Sequence, residues 1–161
     1  VPSSNPLGEL SCEHRYVLDR LRALEASAAS LDLGSVREIL SEIQAYSAPH
    51  FRKEEEGLFP VLGRYFEKAA TSMGGPVRPP GGPVQVMMAE HKSIRMIVEL
   101  LEKALNRGEA AEVRGKAQHL IDLLRSHIYR EDHVLFKAAS ANLTSEEVEE
   151  VAARFQRLKK P

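Results

Sequence analysis

Two ten-residue stretches, HFRKEEEGLF at 50–59 and HIYREDHVLF at 127–136, each set a histidine four positions before a glutamate and close on Leu-Phe. On a helix, four residues amount to a rotation of about 40°, so the imidazole and the carboxylate share a face. Two more histidines, in the pairs Glu13-His14 and Glu90-His91, fall on stripes that are otherwise apolar. A buried carboxylate without a partner costs several kcal/mol or takes up a proton. No Lys or Arg stands on those stripes to neutralise one. Four imidazoles (His14, His50, His91, His127) and two carboxylates (Glu54, Glu131) facing inward at one depth therefore call for a bound cation. The set exceeds what one tetrahedral zinc uses. It suits two ions, each with two histidines, sharing two carboxylates, and mixed nitrogen and oxygen donors suit iron or manganese.

Helices must position these groups. The first sets Leu7, Leu10, His14, Val17, Leu21, Leu24 and Ala28 at spacings of three and four, with Ser11 or a residue slightly upstream as its cap, and stops near Gly34. The second runs from about Ser35 through Val36, Leu40, Ile43, Ser47, His50 and Glu54, and is expected to stop or kink between Gly57 and Pro60. TSMGGPVRPPGGP, residues 71–83, reads as an irregular linker. A third helix carries Met87, His91, Ile94, Val98, Leu101 and Leu105. A fourth places Val113, Ala117, Leu120, Leu124, His127, Glu131 and Val134 on one stripe. Thr144 or Ser145, followed by glutamates, opens a short C-terminal helix over about 144–158.

A shift of 77 positions lays Glu13-His14 on Glu90-His91, Val36 on Val113, His50 on His127, Glu54 on Glu131 and Leu58-Phe59 on Leu135-Phe136 without a gap. The fold expected is all-α: an up-down-up-down four-helix bundle from a duplicated helical hairpin, plus the short C-terminal helix. The repeat halves are about 7–69 and 84–138 within a single domain, 1–161. In that topology the six polar residues converge near one mouth of the bundle, beneath the linker 71–83, and the turns at Gly34 and Gly108 lie at the far end.

Other polar residues fall off the stripes. His119 and His133, about 80° and 120° away, read as surface residues or as residues behind the ligands. Glu55, Glu56 and Asp132 read as solvated, Asp132 turning inward only if the helix widens locally. Tyr46, one turn before His50, reads as packing at the edge of the site. Cys12 points about 160° away from His14 and is not expected to ligate. As the single cysteine it forms no internal disulfide and fits a reducing cytosol. A net charge of −1 gives no electrostatic footprint for nucleic acid. No apolar run approaches the ~18 residues of a membrane span, and no signal-peptide pattern opens the chain. A cytoplasmic protein is expected.

The pattern His14…His50-x-x-x-Glu54…His91…His127-x-x-x-Glu131, with its Glu-His openings and Leu-Phe endings, resembles the hemerythrin-like HHE cation-binding domain over essentially the whole chain. The order His-x-x-x-Glu differs from the Glu-x-x-His of ferritin-like di-iron bundles. The resemblance implies a non-haem di-iron centre, two Fe²⁺/Fe³⁺ ions with an oxo or hydroxo bridge, with manganese or zinc as substitutes. His14 and His50 would hold one iron, His91 and His127 the other, and Glu54 and Glu131 would bridge. Oxygen carriers of the family have a fifth histidine one turn before the third-helix ligand. Met87 stands there, which makes the site more like family members that sense iron or redox state, react with peroxide or repair iron centres. The repair proteins add a cysteine-containing N-terminal domain that this sequence does not show. The expected function is to bind, sense or react with a small oxidant (O2, peroxide or NO). The alternatives are a peroxidase- or catalase-like di-iron enzyme and a non-redox iron-binding or iron-sensing protein.

Overall fold

A computed structural model describes residues 5–72 and 82–159, and among them every element is helical. Helix α1 (Pro6–Ala29) starts at a proline, whose missing N–H costs nothing in a first turn. Asn5 caps it, its side chain accepting from Gly8 N at 3.2 Å. Ser11 is therefore not the cap, and its hydroxyl is free to donate to Asp132 at 2.9 Å. Asp32 caps α2 (Leu33–Lys53) by accepting from Ser35 N at 3.1 Å.

The helix does not stop between Gly57 and Pro60. A π-helical segment, Glu54–Leu58, carries α2 into α3 (Phe59–Ser72) without an interruption, and Phe59 N–H donates to Glu54 O five residues back. Both residues that suggested a stop have other roles. A Cβ on Gly57 would stand 2.6 Å from the Phe155 ring, so glycine is what lets that ring approach. Pro60 has no N–H, and the Glu56 carbonyl accepts from Arg154 Nη1 at 3.2 Å.

Irregularity starts later than expected. The hydroxyls of Thr71 and Ser72 bond back to Lys68 O at 2.9 and 2.8 Å and close the last turn of α3. Gly82 and Pro83 already belong to α4 (Gly82–Arg107). The remainder of the expected linker, 73–81, lies outside the described residues. Gly108, at φ +68, turns the chain into α5 (Ala110–Arg130). A second π-helical segment, Glu131–Leu135, leads into α6 (Phe136–Asn142). Thr144 then starts α7 (Ser145–Leu158) with a reciprocal box, Glu147 N to Thr144 Oγ1 at 3.2 Å and Thr144 N to Glu147 Oε2 at 2.9 Å.

Helix α1 packs on α2 and α5, and α4 packs on α5 and α2. Their apolar stripes form one long core that includes Val17, Leu24, Ile43, Ile94, Leu101 and Leu120. A second apolar cluster gathers Leu10, Leu58, Phe59, Met87, Phe136 and Phe155. Along each of α1, α2, α4 and α5 the histidines and glutamates fall between residues of the first cluster and residues of the second. The polar level is thus not an open mouth: α3, α6 and α7 put apolar side chains beyond it. Phe155 and Val151 of α7 are nearly fully buried there, each worth roughly 1.5–3 kcal/mol of removed apolar surface. Among the described residues no helix is long and apolar enough to cross a membrane.

Candidate metal centre

Six side chains meet at this level: His14 from α1, His50 from the end of α2, Glu54 from the first π segment, His91 from α4, His127 from the end of α5 and Glu131 from the second π segment. None is more than 4% exposed. They fall into two sets of four, each with its ligand atoms within 4.8 Å of one another: His14, His50, Glu54 and Glu131, then Glu54, His91, His127 and Glu131. Both carboxylates belong to both sets, one oxygen in each. Glu54 turns Oε1 to His50 Nε2 at 3.1 Å and Oε2 to His91 Nε2 at 3.2 Å. Glu131 turns Oε2 to His14 Nε2 at 3.1 Å and Oε1 to His127 Nε2 at 3.3 Å.

The opposite edge of every imidazole explains what faces inward. His14 Nδ1 meets Asp132 at 2.9 Å, His50 Nδ1 meets Glu13 at 2.7 Å, His91 Nδ1 meets Glu55 at 2.8 Å and His127 Nδ1 meets Glu90 at 2.8 Å. A carboxylate only accepts, so each Nδ1 carries the proton and each Nε2 presents a lone pair to the centre. Four lone pairs and four carboxylate oxygens then converge, and none of those oxygens makes a hydrogen bond within the protein. Such a cluster is repulsive unless cations fill it. The spacing fits as well. His14 and His50 Nε2 are 3.0 Å apart and His91 and His127 Nε2 are 3.2 Å apart. Neighbouring donors on one ion at roughly 2.1 Å have about that separation.

Without a cation the cluster holds its charges unevenly. Burial and the proximity of Glu54 push the Glu131 carboxyl well above the ordinary range. Burial also works against the Glu54 charge, but His50 and His91 overcome it and hold that carboxyl well below. Burial depresses His127 to about 4. For His50 burial acts in the same sense, yet Glu54 and Glu13 outweigh it and raise the group to about 9. Protons held by Glu131 and His50 in this way partly neutralise what metal ions would neutralise better.

The structure brings together all six residues singled out from sequence. It corrects the reading of Glu55 as solvated, and for Asp132 it meets the condition for turning inward, a local widening of the helix: each receives an imidazole N–H. The wider turn of the π segments swings both inward, while Glu56 stays exposed. The same widening displaces Val134, expected on the inner stripe, to 62% exposure and buries Leu135. Spacing alone did not single out Lys53, only 8% exposed, which pairs with Glu13 and with Glu9. Arg130 pairs in the same way with Glu90 at 2.5 Å. The 77-residue shift relates Glu13 to Glu90, Glu55 to Asp132 and Lys53 to Arg130, and that was the available signal.

His119 and His133 are exposed, as the stripes implied. Tyr46 is not at the edge of the site: it faces outward and stacks on Tyr16 at 3.9 Å. Cys12 is exposed, its sulfur 2.9 Å from Arg15 Nη2. Apolar rings close the site, Phe51 on His91 at 3.9 Å and Phe136 on His14 at 5.6 Å.

The family model of the hemerythrin HHE cation binding domain matches residues 5–139. A DNA nickase of Nostoc sp. (strain PCC 7120 / SAG 25.82 / UTEX 2576) is 25% identical over 130 residues, covering 81% of this chain and 33% of that protein. The chain thus matches about a third of the length of this relative.

Proposed function

Because the chain belongs to the hemerythrin HHE cation-binding family, we propose that it is a di-iron protein that binds, senses or reacts with a small oxidant such as O2, peroxide or NO. We take residues 1–161 as one domain, an up-down-up-down four-helix bundle built from halves 7–69 and 84–138. Two iron ions would supply one-electron exchange with the oxidant. His14 and His50 would hold one, His91 and His127 the other, and Glu54 and Glu131 would span both. The observation that carries this reading is the sharing of both buried carboxylates, one oxygen to each histidine pair.

The surrounding residues have definable work. Asp132, Glu13, Glu55 and Glu90 fix the tautomer and orientation of the four imidazoles and raise their basicity. Phe51, Phe59 and Phe136 exclude water from the donors. Met87, buried one turn before His91, offers no nitrogen there, so two histidines per ion leave room for an exogenous ligand. A single cysteine and the absence of a net basic charge fit work in a reducing cytosol on a small molecule. The DNA nicking in the name of the Nostoc protein belongs to a chain of which the match covers 33%. The net charge of −1 here offers no general attraction for a phosphate backbone.

Metal analysis combined with optical spectra of anaerobic and oxidant-treated protein tests the reading. Two irons per chain and a spectrum that changes with O2, peroxide or NO are expected. One atom per chain, or a spectrum indifferent to all three, would overturn it. Catalytic turnover of peroxide, lost in His127→Ala, would place the activity with the enzymes.

A further inference from the structure

The 77-residue shift carries α1 onto α4 and α2 onto α5, so the α2/α4 face is the counterpart of the α1/α5 face. The two faces are not alike. Helices α1 and α5 lie against each other along more of their length than α2 and α4 do. Between α2 and α4 stands a pocket of about 270 Å³. The residue types account for the difference. Gln44 and Val98 line the pocket, where the shift puts Ile121 and Leu21 on the closed face. Those two counterparts are fully buried. Smaller or polar side chains on one face therefore leave the volume that larger apolar ones fill on the other.

Phe51 lines the pocket, and its stack on His91 at 18° sets the ring between the cavity and a candidate metal ligand. Its counterpart by the shift is Ile128. Ile43, Ile94 and Leu124 supply further apolar lining. At the rim Glu102 accepts from Gln44 at 3.0 Å, and Glu99 stands close by. Arg95, also at the rim, is held to Glu55 at 2.8 Å.

We propose that this α2/α4 pocket binds a small uncharged molecule and passes it to the metal centre past Phe51. The passage rests on the function proposed above, whereas the pocket itself does not. Three observations select the occupant. An apolar cavity of ~150 Å³ already holds benzene or xenon, so this volume suits a small molecule and not a protein segment. Glu99 and Glu102 disfavour an anion, and Arg95, over the Phe51 ring at 5.4 Å, disfavours a cation, which leaves an uncharged occupant. The Phe51 ring leads to His91.

Xenon reads the pocket with or without metal. In metal-free protein under xenon pressure, crystallography should locate xenon against Phe51. Ser47→Leu on α2 and Val98→Leu on α4, which put larger apolar side chains into the lining, should each remove it, so misfolding of one variant leaves the other decisive. No xenon in the wild-type pocket, or xenon retained in a folded filled variant, overturns the pocket. Nitric oxide reads the passage. Its combination rate with the ferrous protein should fall about tenfold or more in Ser47→Leu and rise in Phe51→Ile. Unchanged rates in both overturn the passage and leave the di-iron reading intact. An iron-loaded wild type that binds no nitric oxide removes nitric oxide from that reading and overturns the passage with it, while xenon still decides the pocket.

Discussion

Gly57 and Val134 hold the same place in the two π segments, yet the Phe155 ring of α7 packs on Gly57 while Val134 faces solvent. Outside the ligands the halves diverge in the same direction. Lys53 is buried, and its partner Glu9 also binds Lys159 beyond the end of α7. Arg130, the counterpart of Lys53, is 43% exposed in its side chain. Pro60, whose missing N–H leaves the Glu56 carbonyl to Arg154, becomes Lys137. Inside, by contrast, His14/His91, His50/His127, Glu54/Glu131, Glu13/Glu90 and Glu55/Asp132 keep their types. A cluster of buried donors tolerates no change of charge, so its members repeat. The outer layer answers to packing, and there α7 lies chiefly against α1, α2, α3 and the first π segment, while Val134 of the second stays exposed.

The largest effect should show the inner symmetry. Because Glu54 and Glu131 each belong to both sets, Glu54→Ala and Glu131→Ala should each reduce bound metal from two ions to below one per chain. His14→Ala, which touches one set, should retain about one. Chelation of the wild type should also lower its thermal midpoint, since at free metal ~100-fold above Kd binding adds about 2.7 kcal/mol. If the two carboxylate variants differed, retaining one ion in one case and none in the other, the inner halves would not be equivalent.

The second effect concerns the outer layer, where the halves should part. Gly57→Ala drives a Cβ into the Phe155 ring and should cost about 1–3 kcal/mol by overpacking. Val134→Ala, at the equivalent place, should stay within about 0.5 kcal/mol. Urea unfolding of both variants checks this, and equal losses would mean that α7 does not distinguish the halves.

The same contrast separates what could be read from sequence from what could not. The six inner residues were legible because 3.6-residue periodicity places His50 with Glu54 and His127 with Glu131 on one face. Glu55 was not, and Asp132 only as a residue that a local widening would turn inward, because a π turn rotates everything after it and leaves no mark in an α-helical wheel. The shift of 77 nevertheless pairs them, and asking which acidic residues repeat would have flagged both, together with Glu13 and Glu90. Gly57 and Pro60 misled for another reason. Glycine and proline are read as local breakers, but here one makes room for a ring from a distant helix and the other releases a carbonyl to Arg154 of that helix. Tertiary partners of this kind, 98 residues apart for Gly57 and Phe155, cannot be inferred from neighbours in the chain.

Titration of the metal-free protein gives a third comparison, since His50 and His127 shift in opposite directions. His127, lowered to about 4 from an ordinary 6.5, leaves the unfolded chain with the extra proton between those values, so stability should decline as pH falls through that window. His50, raised to about 9, adds stability that is full below 6.5 and is lost as pH rises toward 9. Denaturant melts of chelated protein should therefore weaken on both flanks. His127→Asn should flatten the acid flank, and His50→Asn the alkaline one. Filling the site with metal should suppress the alkaline slope, above pH ~6.5, because metal holds the ligands deprotonated. Wild-type flanks that survive both substitutions would trace the pH dependence to other groups.

The smallest effect tests whether α7 is held by polar contacts as well as by Phe155. Arg154 donates to the Glu56 carbonyl and pairs with Glu150, which also binds Arg64 on α3. The pairs are exposed, and such pairs contribute ~0–1 kcal/mol each. The bond to the carbonyl is different in kind, because Pro60 offers that oxygen no backbone donor. Arg154→Ala should therefore cost about 1 kcal/mol, while Lys137→Ala at the place of Pro60 in the second half should be nearly neutral. In Arg154→Ala, amide exchange should quicken in α7 and in the first π segment and stay unchanged in the second. The double variant Arg154→Ala/Pro60→Ala restores a backbone donor and should recover part of the loss. If it recovers nothing, the Glu56 carbonyl is not what anchors Arg154, and α7 rests on the first half through its apolar face alone.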